Sequence, residues 1–400
     1  MPKVLRIINR LNLGGPTYNA AYLSKYIGDD FETLLVAGMK DESEASSAYI
    51  VDNLGLKPRY IKNMYREINP IKDFRAYKEL VQIIKEFQPD IVHTHAAKAG
   101  AIGRLAAYNC GVPIILHTFH GHVFHSYFGQ LKTRIFLEIE RFLARKSTKI
   151  VAISNIQKQE LCEKFKVAPC EKFEVVPLGF DLERFQINHP ERRIAFRAKY
   201  GLNQEDVVIG IIGRLVPIKN HYLLIQAFAE VKAKTQKTLK LIIIGDGEIR
   251  DELQRFSSSQ NLNISNSTAV KSDVVFTSWI TDIESALPGL DIVALSSFNE
   301  GTPVSLIEAQ AANVPVISTR VGGIEDIVLE GETAVLSENN NLEEFSTKLL
   351  DLVEDDSLRR RFTIKGFEHV YERYSYTTLC SNMSTLYTSL NQERTIKAKN

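Results

Sequence analysis

Both halves of the chain alternate short, nearly uninterrupted apolar runs with longer helical stretches, and this alternation restricts the fold more than any other feature. In the first half the runs are VLRIINRL, ETLLVAG, DIVHTH, PIILHTF, KIVAIS and FEVVPLG, separated by stretches such as YKELVQIIKEFQ; in the second they are VVIGIIG, LKLIIIG, VVFTS, DIVALSS and VPVIST. Strands this apolar are buried on both faces, which calls for a parallel sheet with helices on either side. The pattern predicts an α/β protein of two doubly wound domains, each with its ligand site at the carboxyl ends of its strands. Residues Pro177 to Pro190, PLGFDLERFQINHP, carry turn formers and little periodicity and mark the expected linker. The expected division is 1–185, 186–374, a C-terminal helix over 375–391 with Leu379, Met383 and Leu386 on one face, and a polar tail over 392–400.

Four hundred residues, 44% of them hydrophobic, can bury two cores. The net charge of +1 conceals a split: residues 1–185 carry 26 Lys+Arg against 20 Asp+Glu, and residues 186–400 carry 23 against 28. The basic first half is expected to face something anionic, such as a membrane surface or a phosphorylated acceptor. The excess is too mild for nucleic acid, and no aromatic residues interleave with it to stack bases. Cys110, Cys162, Cys170 and Cys380 form no CxxC pair and no dense framework, so they read as packing residues in a reducing cytosol. The opening residues lack the apolar core and cleavage site of a signal peptide, and no apolar run approaches the ~20 residues that span a bilayer. The expected location is cytoplasmic, or peripheral at the inner face of a membrane.

The segment from Asn299 to Gly323, NEGTPVSLIEAQAANVPVISTRVGG, carries the densest chemistry. Thr302 is placed to cap a helix, Pro303 suits its first turn, and SLIEAQAA continues it until Asn313 and Pro315. VPVIST then forms a buried strand, and Gly322-Gly323 permits a sharp turn beside a ligand. The helix start, at Gly301, Thr302 and Pro303, attracts an anion through its unpaired N–H groups. Glu300 and Glu308 would repel that anion, so they are read as acceptors for hydroxyls, as on a ribose or sugar ring. Together these features ask for a sugar nucleotide, whereas alone the two acids would be ordinary solvated residues.

Other candidates cluster at strand ends. In IIGRLVPIKNH, Arg214 follows a strand and Lys219 stands five positions on, a fork and a point charge that suit phosphate oxygens. The first loop, LNLGGPTYNA, places Gly14 and Gly15 between the opening strand and a helix, open to close approach by a phosphate or acceptor, but it lacks a complete G-x-G-x-x-G. HTFHGHVFH concentrates His117, His120, His122 and His125, with His93 and His95 on another strand end; no acidic or cysteine ligand accompanies them at zinc spacing. No D-x-D occurs anywhere, so no metal is expected and the only co-substrate required is a nucleotide sugar. LKTRIFLEIERFLARK carries an apolar stripe of Leu131, Ile135, Ile139, Phe142 and Leu143 flanked by Lys132, Arg134, Arg141, Arg145 and Lys146, which suits either an interfacial helix or a core helix with a basic outer face.

The Asn299–Gly323 segment resembles the E-x7-E region of the family 4 retaining glycosyltransferases, with Asn313 standing where a glycine is usual; Asn tolerates the left-handed backbone needed there. The resemblance extends over nearly the whole chain. It implies a GT-B fold, two Rossmann-like domains facing across a cleft, the first binding acceptor and the second nucleotide sugar, with the last helix crossing back to the first domain. It further implies a metal-independent, retaining transferase that moves a hexose-type sugar from a nucleotide, with UDP expected, to a saccharide or lipid-linked acceptor in bacterial surface-polysaccharide synthesis. By that resemblance Arg214 and Lys219 hold the diphosphate, Glu308 the ribose, Glu300 the donor-sugar hydroxyls, and His120 stands near the reacting carbon. The loop GDGE, from Gly245, lies beside the nucleotide, and TSWI, Thr277 to Ile280, contacts the base through its backbone, with Trp279 replacing a frequent glycine. A nucleotide-sugar epimerase or sugar phosphorylase of the same fold, and a non-catalytic nucleotide-sugar-binding subunit, are the alternatives.

Overall fold

The computed structural model describes residues 1–11, 15–39, 48–121 and 130–399. They form two compact units, Met1–Phe180 with Arg373–Asn400, and Asp181–Glu372. The first contains a seven-stranded parallel sheet of β1 (Lys3–Ile8), β2 (Glu32–Gly38), β3 (Arg59–Ile61), β4 (Ile91–His95), β5 (Ile114–Phe119), β6 (Lys149–Ala152) and β7 (Phe173–Val175), in the order β3-β2-β1-β4-β5-β6-β7. The second repeats the design with β8 (Val207–Ile212), β9 (Leu239–Ile244), β10 (Ile264–Ser265), β11 (Val274–Ser278), β12 (Ile292–Leu295), β13 (Val316–Thr319) and β14 (Ala334–Ser337), in the order β10-β11-β9-β8-β12-β13-β14. Both sheets are doubly wound, and in each the strand order reverses beside the first strand, between β1 and β4 and between β8 and β12. Ligand crevices form at such reversals, because the connections leave the two strands toward opposite faces.

Each sheet is buried by helices whose apolar faces follow from local sequence. The helix Pro70–Phe87 starts where Asn69 Oδ1 accepts a hydrogen bond from the Lys72 amide at 3.1 Å, has proline in its first turn, and stops at Gln88, which adopts φ 52°. It buries Ala76, Leu80, Ile83 and Ile84, spaced to lie on one side. The C-terminal helix, Tyr376–Lys399, packs Leu379, Met383, Leu386, Tyr387 and Leu390 against Val4, Leu23, Ile27 and Phe31 of the first unit. Leu379→Ala would remove a fully buried side chain from this contact, at about 2–5 kcal/mol.

Four expectations need correction. The units divide after Phe180 and after Glu372 rather than after 185 and 374, because Leu182 and Phe185 are buried and Arg184 pairs with acids of the second unit. The expected linker is not featureless either: Glu183–Phe185 forms a 3₁₀ turn and His189–Tyr200 a helix. The segment 392–400, expected as a tail, continues the last helix to Lys399. Finally, two of the four cysteines are more than packing residues, since Cys162 and Cys170 form a disulfide with a Cα–Cα distance of 5.1 Å. The π-helical turn Glu160–Lys164 and the 3₁₀ turn Cys170–Lys172 bring them together, a geometry that their spacing does not announce.

Candidate active site

The reversal between β8 and β12 gathers the charged candidates of the second unit. The chain leaves β8 through Gly213 and Arg214, makes the 3₁₀ turn Pro217–Lys219, and enters the helix His221–Lys234 through Asn220 at φ 45°. It leaves β12 through Ser296 and Ser297 toward Glu300. The two exits are stitched together: the Phe298 amide donates to the Ile218 carbonyl at 2.9 Å, and Ser296 Oγ donates to the Asn220 carbonyl at 2.9 Å. Lys219 Nζ then reaches Glu300 Oε1 at 2.5 Å, and Ser297 Oγ donates to the same oxygen at 2.5 Å. Glu300 is 9% exposed and Lys219 22%, so each charge is compensated in a partly dehydrated setting. Arg214, by contrast, is exposed and forms no ion pair among the described residues.

Two glycines let the backbone close around this crevice. Gly245 has φ 147°, and a Cβ there would sit 1.8 Å from the Gly213 carbonyl oxygen, so no other residue lets β9 turn so close to the β8 exit. Gly322 has φ 54°, and its Cβ would fall 1.8 Å from the Glu300 carbonyl oxygen. The Gly323 amide donates to that carbonyl at 3.2 Å. Glu300 is thus fixed at both ends, by the Gly-Gly turn through its backbone and by Lys219 and Ser297 through its carboxylate.

The helix after Glu300 spans Val304–Ala311, with Pro303 at its N-cap and no side chain bonded to its first amides. Thr302 therefore does not cap it, contrary to expectation; proline, which has no N–H, occupies the cap instead. The first turn, without a side-chain cap, leaves its leading amides, those of Val304 and Ser305, for a ligand seated beside Gly301, Thr302 and Pro303. Asn313 closes the helix at φ 55°, as its position predicts. Glu308 does not meet Glu300's partners. It lies 3.6 Å from Arg184, whose other guanidinium nitrogen is 3.8 Å from Glu284. Burial pushes the Glu308 carboxyl up to about 7, with Arg184 opposing the shift and Glu284 adding to it. Arg184, Glu284 and Ser297 escape a reading of the sequence, since none stands in a local pattern that marks a ligand contact.

The remaining candidates are more scattered. Ile280 lines a small pocket of about 200 Å³ with Arg192, Phe196, Tyr200 and Asp282, while Trp279 beside it is 54% exposed. In the first unit, Gly15 opens the helix Gly15–Tyr26 after β1, and His120 follows β5. Gly14, His122 and His125 lie outside the described residues. Among the described residues, Cys162, Glu163 and Cys170 are the one group of potential metal ligands close enough to share an ion, and the two sulfurs are bonded to each other, which removes them as thiolate ligands.

Two doubly wound sheets, with a cation–carboxylate cluster and uncapped helix amides at the strand ends of the second, define a Rossmann-like protein of the kind that binds nucleotides. The sequence agrees: residues 14–184 match the family model described as Glycosyltransferase Family 4, and residues 192–369 the model described as Glycosyl transferases group 1. The chain belongs to the family 4 type of glycosyltransferases. It is similar to the Escherichia coli UDP-Gal:alpha-D-GlcNAc-diphosphoundecaprenol alpha-1,3-galactosyltransferase, 29% identical over 82% of this chain and 84% of that one. It is also similar to the capsular polysaccharide biosynthesis glycosyltransferase CapM of Staphylococcus aureus, 27% identical over 82% and 84%. The fold is that of the Anabaena protein HepE in complex with UDP, at a TM-score of 0.79, with 18% identity over 97% of this chain and 100% of that one, which makes the architecture GT-B.

Proposed function

We propose that this glycosyltransferase is retaining and metal-independent, and moves a hexose from a UDP-linked donor to a saccharide or lipid-linked acceptor in surface-polysaccharide synthesis. The observation that carries the reading is the Lys219–Glu300 pair at the crevice between β8 and β12, beside the exposed Arg214. Departure of a nucleoside diphosphate builds negative charge, and Arg214, Lys219 and the first amides of the helix Val304–Ala311 supply fixed positive charge for it. In this reading the diphosphate draws Lys219 from Glu300, which frees the Glu300 carboxylate to accept hydroxyls of the donor sugar. Glu308 accepts the ribose hydroxyls, and His120 contacts the donor sugar near the reacting carbon. The leaving phosphate takes the acceptor proton on the same face of the sugar, so configuration is kept. The names of the Escherichia coli and Staphylococcus aureus relatives support a UDP-linked hexose and a polysaccharide setting.

Attachment to an anionic bilayer belongs to the same proposal. In the helix Gln130–Lys146, Leu143 and Ala144 are buried, but Ile135, Ile139 and Phe142 are 42–52% exposed. A groove of about 690 Å³, lined by Phe74, Tyr77, Ile102, Leu105, Ile139 and Phe142, runs beside that stripe. A core helix would hide these residues, whereas apolar side chains beside Lys132, Arg134, Arg145 and Lys146 match an anionic membrane surface. No helix among the described residues is long and apolar enough to cross a membrane. A screen of nucleotide sugars for nucleotide release and a two-sugar product tests the reaction; interconversion of the donor without release, or no turnover of any donor, would contradict it.

A further inference from the structure

The strand ends of the first unit hold four described histidines, and two of them meet neighbouring hydroxyls. His93 meets the Tyr387 hydroxyl at 2.6 Å through Nδ1 and the Thr118 hydroxyl at 2.7 Å through Nε2, while His117 Nδ1 meets Thr94 Oγ1 at 2.9 Å. His95 and His120 are different. His95 Nδ1 lies 2.9 Å from His120 Nε2, the rings nearly parallel at 28°, while the outward nitrogens, His95 Nε2 and His120 Nδ1, are buried without a partner. His95 ends β4, at the reversal between β1 and β4, and His120 follows the neighbouring β5.

One proton lies between these rings, and its owner sets the chemistry of both. Burial keeps His120 neutral, its imidazolium form pushed down to about 3, and His95 is lowered by burial and then by His93, His120, Arg6 and His117. A neutral imidazole carries one N–H. If His120 donated through Nε2, the His95 proton would sit on its Nε2, an orphaned donor on a ring with no exposure. If His95 donates through Nδ1, the orphaned N–H belongs instead to His120 Nδ1, an atom buried as well, but on a partly exposed residue followed by the exposed Gly121. An N–H on the fully enclosed His95 ring has no route to an acceptor, whereas one on His120, at the protein surface, can meet an acceptor when a ligand binds, so the second arrangement is the favoured one. We propose that His95 is a positioning residue that holds His120 as its Nδ1–H tautomer, so that His120 offers a hydrogen-bond donor to a substrate oxygen, not a basic lone pair.

This inference rests on the reading of His120 as a contact to the donor sugar. Nitrogen-15 NMR of the full chain labelled at histidine tests the tautomers without substrate, with His95→Asn and His120→Gln used to assign the signals. Both rings in the Nδ1–H form, unchanged from pH 5 to 8, is the expected result; both in the Nε2–H form overturns the proposal, whatever the protein catalyses. A second arm uses the overlap of an asparagine amide nitrogen with imidazole Nδ1. His95→Leu should lower kcat roughly tenfold, the worth of one hydrogen bond, with KM little changed, and His95→Asn should restore most of it. Equal loss in the two variants at equal melting temperature would reduce His95 to packing. If His95→Leu does not fold, the tautomer arm still decides.

Discussion

Lys219 Nζ and Glu300 Oε1 lie 2.5 Å apart although 81 residues separate them in sequence, and the carboxylate is the more buried partner. The pair joins the exits of β8 and β12, so its two charges wait at the place proposed for the diphosphate and the donor sugar. Its disposition separates the effects of substitutions that would otherwise look alike.

Arg214→Ala and Lys219→Ala should both slow turnover, each by about 2–4 kcal/mol of transition-state stabilisation, from a lost charge-assisted contact to the leaving phosphate. Their stabilities should differ. Arg214 is exposed, so its removal should change folding free energy by less than about 0.5 kcal/mol, whereas Lys219→Ala strands the Glu300 carboxylate and should cost about 1–3 kcal/mol. Urea titration beside steady-state kinetics reads both quantities. Full turnover by a folded double variant would remove these residues from the chemistry.

Glu300→Gln and Glu308→Gln should divide the work. Glu300 is proposed to meet the sugar, so Glu300→Gln should mainly lower kcat; Glu308 is proposed to meet the ribose, so Glu308→Gln should mainly weaken nucleotide binding. Titration calorimetry with UDP alone is the check, and equal losses of UDP affinity would contradict the division.

The Glu308 carboxyl, raised to about 7 by burial, predicts a pH dependence with a definite sign. The ionised form accepts both hydroxyls of a ribose diol, whereas the protonated form has lost an acceptor site. Affinity for UDP-glucose, which has no terminal phosphate monoester, should therefore rise several-fold between pH 6 and 8. The folded state holds its proton more tightly than the unfolded chain, so Glu308 ionisation also subtracts stability as pH rises from the ordinary carboxylate range through about 7. Glu308→Gln should flatten both curves, and Arg184→Gln should move the binding midpoint upward. A pH-independent affinity in the wild type would mean that Glu308 does not touch the nucleotide.

The apolar strands that form the middle of each sheet were legible because they are buried on both faces. The edges were not: β3 buries Ile61 alone, and β10 has two half-buried residues, so neither carries a hydrophobic run. Backbone signatures also survived translation into structure. Gly322 and Asn313 adopt positive φ where their residue types and positions suggest it. What the sequence withheld is pairing at a distance. Nothing local couples Lys219 to Glu300, nothing in an expected linker reveals Arg184 as the partner of Glu308, and two cysteines eight positions apart do not declare a disulfide.

Binding to liposomes tests the exposed stripe. Sedimentation with anionic vesicles should fall as salt rises and should drop when Arg134, Arg141 and Arg145 become glutamine, since each basic residue near the surface adds about 1 kcal/mol. Arg141 is tied to Glu138 at 2.6 Å and to the carbonyls of Phe165 and Lys166, so it should contribute least. Sedimentation unchanged by either treatment would leave the groove to some other occupant.

The central claim is that fixed protein charges alone stabilise the leaving diphosphate while the sugar keeps its configuration. The most direct measurement is the anomeric-proton NMR spectrum of the product formed from an α-linked UDP-hexose in the presence of EDTA. The account predicts an α-linked product at a rate close to that without chelator. A β-linked product, or activity recovered only when magnesium or manganese is added back, would contradict it.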